Sequence, residues 1–305
     1  MNKFQQFFNV LKKNWLVGVL FFVLLTALIV FFSTGSLENL QTSKTANQAQ
    51  NSQKQNEIYS STEPVVIYGD TRTGQDIHRK IIEQIIKVNP LAVFNTGDVV
   101  ENGDNPADWQ AFNEITGKLR ATVPYYPALG NHDKEAKLYF ENFSLPNNER
   151  WYAVNYEKIH FIVLDTNLDI SIGSKQYQWL ENDFKNQPDD TLFTVAIFHH
   201  PPFSTGLHQD DEKYLQVSIV PLFENYGMDM VFSAHNHGYE RSQVRGIYYI
   251  VSAGGGAPLY PQIRTSPYSQ KFLETYNFCT LEIAQNHLVF KAYDLNGVLI
   301  DQVKI

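Results

Sequence analysis

The stretch VVIYGD at residues 65–70 begins the pattern that decides the fold. LAVFNTGD follows it at 91–98, and PYYPALGNHD follows at 124–133. Each stretch is a short apolar run that ends in glycine and polar side chains, and such runs are typical of buried β-strands. Glycine before the polar residue lets the backbone turn tightly where the strand ends. The three stretches therefore predict buried strands that deliver polar side chains at their carboxyl ends.

Helical periodicity separates these strands. Between the first two, five isoleucines share one face of a predicted helix, namely Ile77, Ile81, Ile82, Ile85 and Ile86. Pro90 ends this helix, and Trp109, Phe112 and Leu119 mark a second one. Strands that alternate with helices predict an α/β fold, in which ligand chemistry gathers at the carboxyl ends of the strands.

The second half of the chain is richer in predicted strands. We expect them at 151–156, 159–164, 191–198, 228–233 and 243–252, with three more across 276–304. Leu295, Asn296 and Gly297 form a hairpin signal between the last two. The pattern predicts one domain over residues 65–305, built as a two-sheet β-sandwich flanked by helices.

The composition is that of a globular protein whose charge is unevenly distributed. Hydrophobic residues make up 43% of the 305 residues and aromatic residues 14%, which predicts a well-filled core. Of the net charge of −8, residues 1–32 contribute +3 and residues 33–64 contribute −1, so residues 65–305 carry about −10. Such an acidic domain is poorly suited to binding nucleic acid. The single cysteine, Cys279, excludes an intrachain disulfide and lies in an apolar run that predicts a buried thiol.

Residues 15–32 form an uncharged apolar stretch, WLVGVLFFVLLTALIVFF. As a helix it would span about 27 Å, close to the hydrocarbon core of a bilayer at about 30 Å. A cleavable signal peptide is the alternative, but its apolar region normally has only about 7–15 residues, and FFSTGS is a weak cleavage site. We therefore predict one transmembrane helix. Lys12 and Lys13 place the segment 1–14 in the cytoplasm by the positive-inside rule.

Residues 33–64 are predicted to be a flexible linker. Nineteen of these 32 positions are Ser, Thr, Asn or Gln, and there is almost no apolar periodicity. A flexible chain of this length reaches about 30 Å. The predicted protein is therefore a single-pass membrane protein whose domain at 65–305 is tethered outside the cytoplasm.

Five predicted strands each end in residues that can bind a metal. In chain order these residues are Asp70, then Asp98, then Asn131 with His132 and Asp133, then His199 with His200, and finally His235 with His237. Taken alone, each has an ordinary explanation as a turn or loop residue. Taken together they form a ligand set, because carboxylates, amide oxygens and neutral imidazoles are the groups that divalent metals bind. The pattern predicts a metal centre.

The ordered motifs GD, GD, GNHD, H-x-P and H-x-H resemble those of the calcineurin-like metallophosphoesterases, which include the purple acid phosphatases. The resemblance runs from Gly69 to about Gly256. AHNHGYER at 234–241 is especially similar to the last motif of the purple acid phosphatases and their bacterial relatives. The resemblance implies hydrolysis of phosphoesters at a dinuclear centre with a metal-bound hydroxide as nucleophile, on a double β-sandwich flanked by helices.

The resemblance also implies a role for each motif residue. The first of two divalent ions would be held by Asp70, Asp98 and His237, and the second by Asp98, Asn131, His199 and His235. His132, supported by Asp133, would face the substrate and protonate the leaving oxygen. Two such ions can clamp the attacking and leaving oxygens of an in-line displacement. Manganese, iron and zinc are the candidate metals, because magnesium suits so many imidazoles less well.

Two positions depart from the pattern of the family. Many members carry Asp-x-His in the first motif, whereas this chain has Asp70-Thr71-Arg72. Purple acid phosphatases carry a tyrosine three residues after the second Asp, whereas this chain has Glu101, so coloured iron–phenolate chemistry is not expected. Glu101 is a candidate for substrate contact or for completing the shell of the first ion, with a solvated loop carboxylate as the alternative.

Arg72 has no lone pair and cannot replace histidine as a ligand. It either pairs with a nearby acid such as Asp76 or forms a bidentate clamp on two phosphoryl oxygens. We favour the clamp, and with it we count Arg72 as a catalytic candidate beside His132 and Asp133. His208 is a candidate for substrate contact, because its loop borders the active site in relatives.

The predicted function is metal-dependent hydrolysis of a phosphorylated small molecule or lipid. One alternative is a non-catalytic relative that binds a phosphorylated ligand. The other is a phosphodiesterase or nuclease, which the acidic charge disfavours. The membrane is a further predicted partner through the N-terminal helix, and the sequence gives no indication of an oligomer.

Overall fold

The side chains of strand β1 (Val65–Tyr68) show how the layers of the fold are arranged. In the computed structural model, which describes residues 58–134, 136–208 and 212–305, all four are buried. Val65 and Ile67 face a core between two sheets, whereas Val66 and Tyr68 face a core beneath the outer helices. Because successive side chains of a strand point to opposite faces, a strand covered on both sides has to be apolar throughout.

The first sheet has six strands. Three of them come from the beginning of the domain and three from its end. They are β1, β2 (Ala92–Asn95), β3 (Tyr125–Pro127), β11 (Asn277–Ala284), β12 (His287–Asp294) and β13 (Leu299–Lys304). Their order across the sheet is β13-β12-β11-β1-β2-β3. β1, β2 and β3 run parallel, so their carboxyl ends meet at one edge.

The second sheet has seven strands. They are β4 (Tyr152–Tyr156), β5 (Ile159–Val163), β6 (Phe193–Ile197), β7 (Met230–Ser233), β8 (Tyr239–Val244), β9 (Ile247–Ser252) and β10 (Ser269–Leu273). Their order is β10-β8-β9-β7-β6-β5-β4, and β5, β6, β7 and β9 run parallel. The two sheets enclose a common core, in which Phe94 of the first sheet stacks on Phe161 of the second with ring centroids 4.5 Å apart.

Helices cover the outer faces of the two sheets. They are α1 (Gln75–Val88), α2 (Pro106–Arg120), α3 (Lys137–Asn142), α4 (Lys175–Asn186), α5 (Glu212–Ser218) and α6 (Val220–Tyr226). α1 and α2 bury Ile81 and Phe112 against the first sheet. α4 and α6 bury Leu180 and Phe223 against the second. The two-sheet sandwich with flanking helices is therefore confirmed.

Several predicted boundaries differ from the structure. The predicted strand at 243–252 is a hairpin: β8 and β9 are joined at Arg245 and Gly246, which both have positive φ. Strand β10 and helices α3 to α6 were not predicted. The hairpin at 295–297 is confirmed, since Gly297 has a φ of 79° and donates its N–H to the carbonyl of Asp294. Cys279 is buried as predicted.

The compact unit begins at Tyr59, ahead of the predicted start at 65. The N–H of Tyr59 donates to Asn286 Oδ1 at 2.7 Å, and that of Ser61 donates to the carbonyl of Ile283 at 2.8 Å. The predicted anchor at 15–32, and the linker up to residue 57, lie outside the described residues. Among the helices that are described, none is both long enough and apolar enough to span a membrane.

Candidate metal centre

The candidate ligands lie at the carboxyl ends of parallel strands. Asp70, Asp98 and Asn131 follow β1, β2 and β3, and His199 and His235 follow β6 and β7. Both sheets therefore direct these ends to one edge of the sandwich. The structure brings together all the residues that the sequence analysis assigned to metal binding.

The loops that carry these residues are held in an unusual conformation. Asp70, Asp98 and His235 have φ values of 53°, 53° and 67°, in the left-handed region that non-glycine residues seldom adopt. The first two loops are bonded to each other, because the N–H of Asp70 donates to the carbonyl of Gly97 and that of Thr71 to the carbonyl of Asp98, both at 3.1 Å. Strained backbone of this kind clusters at functional sites.

Asp133 joins the second and third loops. Its buried carboxylate accepts the N–H groups of Val99 at 2.8 Å, Val100 at 3.2 Å and Gly130 at 2.9 Å. Burial raises the pKa of Asp133 to about 7, although these hydrogen bonds act in the opposite direction. The expected support of His132 by Asp133 is not what the structure shows, because this carboxylate binds backbone groups instead.

Asp98, Asn131, His199 and His235 form what we call the histidine cluster. His199 Nε2 lies 3.0 Å from Asn131 Oδ1, 3.2 Å from His235 Nδ1 and 3.5 Å from Asp98 Oδ2. His199 Nδ1 donates to the carbonyl of Thr96 at 3.0 Å, which leaves a lone pair on Nε2. Three acceptor atoms, from His199, Asn131 and Asp98, thus face one another.

The charge states of the cluster suit a cation. Burial lowers the pKa of His235 to about 3 and that of His199 well below its ordinary value, so both rings are neutral at neutral pH. Burial, with the charges of Asp70 and Asp133, raises the pKa of Asp98 well above its ordinary value. An ionised Asp98 therefore requires a cation nearby. This donor set fits a divalent metal ion.

A second group of ligand atoms surrounds Arg72, and we call Asp70, Asp98, Glu101 and His237 the Arg72 pocket. His237 Nδ1 donates to the carbonyl of Pro258 at 2.6 Å, so Nε2 faces Asp70 Oδ1 at 3.4 Å. Among the described residues, this buried oxygen of Asp70 has no hydrogen-bond partner. Arg72 Nη2 lies 3.5 Å from His237 Nε2, and Arg72 Nε lies 3.5 Å from Asp98 Oδ2.

Glu101 fixes the guanidinium of Arg72. Arg72 Nη1 donates to Glu101 Oε2 at 2.5 Å, so the acidic partner is Glu101 rather than Asp76. Burial opposes the charge of Arg72, but the bond to Glu101 and the charge of Asp98 outweigh it and raise the pKa of the guanidinium. The Glu101 carboxylate is itself half-exposed at the rim of the pocket.

His132 borders the same space from the other side. Its backbone N–H donates to Asp98 Oδ1 at 2.8 Å, and its Nδ1 donates to the carbonyl of Glu101, also at 2.8 Å. The ring is 29% exposed, with Nε2 4.0 Å from Asp98 Oδ2. The His132 ring is thus accessible to an incoming substrate.

Residues at the rim complete the site. His208 lies with its ring centroid 4.4 Å from that of His235, in a loop whose Thr205 is held by the buried Glu240. Tyr260, which the sequence analysis did not assign, stacks on His237 at a centroid distance of 4.0 Å. Its stretch, PLYPQ, carries no strand or helix signal from which this contact could be read.

His200 and the glycines at 254–256 lie close to the centre. His200 Nδ1 is 2.8 Å from Thr166 Oγ1, and its ring is 4.7 Å from that of His235, so it belongs to a group of three histidines that could hold a metal. Gly255 donates its N–H to the carbonyl of Gly69 at 2.8 Å, and a Cβ at this position would lie 2.4 Å from that oxygen. The glycine run therefore packs against the first motif.

The chain is similar in sequence to acid phosphatases of plants and animals. Purple acid phosphatase 18 of Arabidopsis thaliana is 28% identical over 151 residues, which are 44% of this chain and 35% of that protein. Acid phosphatase type 7 of Mus musculus is 25% identical over 262 residues, which are 70% of this chain and 60% of that protein. The chain thus spans about a third of the length of the first relative and three fifths of the second.

A solved structure shows a shared fold, and a sequence profile identifies the family. The purple acid phosphatase PPD1 from yellow lupin seeds has a TM-score of 0.71 at 19% identity, covering 81% of this chain and 54% of that one, which shows a shared fold. The sequence profile of the calcineurin-like phosphoesterases matches residues 63–239, more than half of the chain. That segment contains the strand ends with Asp70, Asp98, Asn131, His199 and His235. The chain belongs to the calcineurin-like phosphoesterase family.

Proposed function

We propose that this chain hydrolyses phosphoesters with a divalent metal ion held by the histidine cluster. One observation carries the proposal. His199 Nε2 offers a lone pair to a space where Asn131 Oδ1 and Asp98 Oδ2 lie 3.0 Å and 3.5 Å from it. Three acceptors in contact repel one another unless a cation lies between them. Membership of the family supports the reaction type.

The residues around the cluster have separate tasks. When bound, a divalent ion polarises the phosphoryl group and lowers the pKa of water toward neutrality. His132, oriented by the carbonyl of Glu101, presents Nε2 to the substrate, and its protonated ring donates a proton to the leaving oxygen. Asp133 holds the loop that carries Asp98 against the loop that carries His132, because its carboxylate accepts three backbone N–H groups from them.

The family resemblance implies a second ion, held by Asp70, Asp98 and His237. One oxygen of Asp70 has no hydrogen-bond partner within the described part of the chain, and it lies 3.4 Å from His237 Nε2. This pair of atoms supports a need for positive charge there. Manganese, iron and zinc are the candidates for the metal, because they accept imidazole together with carboxylate ligands.

The proposed substrate is a phosphorylated small molecule or lipid. The charge of about −10 on residues 65–305 repels a polyanion bound along an extended surface. It is compatible with binding of a single phosphate group at a metal centre. We also propose that the domain works outside the cytoplasm, tethered by the predicted helix at 15–32. Its uncharged length and the flanking Lys12 and Lys13 support this.

The test uses the purified full-length chain, freed of metal and then reloaded with Mn²⁺ or Zn²⁺. We expect hydrolysis of p-nitrophenyl phosphate only after loading. Asp98→Asn should lose bound metal and reduce kcat/KM by about 100-fold or more, since a fixed charge in the site is removed. Metal binding without hydrolysis of any monoester or diester in a panel would indicate the non-catalytic relative instead.

A further inference from the structure

The guanidinium of Arg72 is enclosed by the side chains of the Arg72 pocket. Its Nη1 contacts Glu101 at 2.5 Å, its Nε lies 3.5 Å from Asp98 Oδ2, and its Nη2 lies 3.5 Å from His237 Nε2. The side chain is only 13% exposed. The phenol of Tyr260 interacts with it as well. All three nitrogens of the guanidinium therefore lie near protein groups, although the buried Nε has no hydrogen-bond partner among the described residues.

This position overlaps with the one that a first ion would need. An ion bound by Asp98 and His237 would lie about 2.0–2.2 Å from a ligand atom of each. Arg72 already places a nitrogen beside the same two atoms, Asp98 Oδ2 and His237 Nε2. A guanidinium is permanently charged in proteins and has no lone pair to offer a metal. An ion and this cation would have to share one space, so the pocket does not fit a separate ion.

The balance of charge agrees with the geometry. Asp70, Asp98 and Glu101 bring three negative charges, two of them fully buried. One divalent ion and Arg72 bring three positive charges, and the imidazoles of His199 and His235 are neutral. Without Arg72, a single divalent ion would leave one of these three negative charges uncompensated.

We infer that Arg72 takes the place of the first ion, so that the centre consists of one divalent ion in the histidine cluster and a fixed guanidinium on the other side of Asp98. The inference rests on the proposed function. It differs from the phosphoryl clamp expected from the sequence, because a bidentate clamp needs two free parallel N–H groups. Here Glu101 and His237 each contact one of the two terminal nitrogens and Nε faces Asp98, so the guanidinium is directed at protein groups rather than presented to a substrate.

The experiment counts metal ions in the full-length chain, solubilised in detergent, loaded with Mn²⁺ or Zn²⁺ and freed of loosely bound ions. Inductively coupled plasma mass spectrometry should find one ion per wild-type chain. Arg72→His removes the guanidinium and supplies an imidazole, and this variant should hold two ions. Arg72→Lys retains a positive charge and should hold one. With Mn²⁺, electron paramagnetic resonance should show isolated ions in the wild type and a spin-coupled pair in Arg72→His.

Arg245→His is the matched control, because Arg245 is exposed and pairs with Glu224 on the surface. It should hold one ion, which excludes an unspecific gain from an added histidine. Two ions in the wild type would overturn the inference, and so would a single ion in a folded Arg72→His. Neither result contradicts the proposed function. A wild-type chain that binds no ion and hydrolyses no phosphoester would refute the proposed function itself.

Discussion

Asp98 is the residue at which the parts of the site meet. Its Oδ1 accepts the N–H of His132 at 2.8 Å, and its Oδ2 faces His199 and Arg72, each at 3.5 Å. Burial and the charges of Asp70 and Asp133 raise its pKa, so the carboxylate stays ionised only with positive charge beside it. A change at Asp98 therefore affects metal, guanidinium and His132 together, and a change at a neighbour is needed to separate their tasks.

His132→Ala separates proton transfer from metal binding. The ring is partly exposed and its Nδ1 is held by a backbone carbonyl, so its removal leaves the histidine cluster in place. We expect kcat to fall by about 100-fold or more, the scale of general acid catalysis, with the metal content unchanged. The measurement pairs steady-state kinetics with metal analysis of the same sample. If the variant lost its metal, His132 would be part of the metal site.

At the scale of single residues, the positions of the candidate metal ligands could be predicted from the sequence, whereas the contacts of their neighbour Arg72 could not. The places of Asp70, Asp98, Asn131, His199 and His235 followed from the ends of apolar strands, because parallel strands meet at one edge. The contact between Arg72 and His237 could not be predicted in this way. His237 lies 165 positions further along the chain, and the direction of a long flexible side chain depends on packing that only the folded structure supplies.

At the scale of elements, helix α1 is packed on strand β1 through a buried histidine. His78 Nε2 lies 3.2 Å from the hydroxyl of Tyr68, and its ring stacks on Phe112 at a centroid distance of 6.0 Å. Burial, with a smaller contribution from Arg79, lowers the pKa of His78 to about 3. The neutral ring is thus part of the packing between α1, α2 and the first sheet.

This contact makes the stability of the domain dependent on pH. An unfolded histidine takes up a proton below about pH 6.5, whereas native His78 does so only near pH 3. The unfolded state therefore binds more protons in this window, and the free energy of unfolding falls as the pH falls. The contribution of His78 is up to about 1.4 kcal/mol per pH unit.

His78→Gln should remove the contribution by which the free energy of unfolding rises with pH between pH 4 and about 6.5, so that its slope against pH is lower than that of the wild type. Urea unfolding of both metal-free proteins, followed by tryptophan fluorescence, measures the two slopes. Other buried groups, such as Asp133 with its raised pKa, are present in both proteins and cancel in the comparison. Equal slopes would mean that His78 is protonated in the native state.

The elements that the sequence analysis missed are those with little apolar signal. Strand β10, SQKFL, has no fully buried side chain, so it lacks the apolar run by which strands are recognised. Helix α4, KQYQWLENDFKN, presents few apolar residues among many polar ones. One strand was predicted at 243–252, whereas the structure has two strands that meet there. The turn between them, Arg245-Gly246, interrupts the apolar pattern only briefly. In each case packing against neighbours decides the element.

At the scale of the whole molecule, an acidic phosphoesterase domain follows a positively charged, apolar N-terminal segment. Residues 1–32 carry +3 and residues 65–305 about −10. Cytoplasmic segments next to a membrane helix carry an excess of Lys and Arg, so Lys12 and Lys13 are expected to keep the N-terminus inside. The domain would then act on substrates that reach the outer face of the membrane, including phosphorylated lipids.

Protease added to intact cells, or to cells with only an outer membrane permeabilised, tests this orientation. We expect loss of the domain at 65–305 and survival of an N-terminal epitope tag, because the predicted helix at 15–32 shields what precedes it. The double variant Lys12→Glu, Lys13→Glu removes the charges that set the orientation, so part of its population should become protected. Digestion in lysed cells shows that the domain is cleavable at all. A wild-type domain that resists protease in intact cells but not in lysed ones would place the enzyme on the cytoplasmic side, where its substrates would have to be sought among cytosolic phosphoesters.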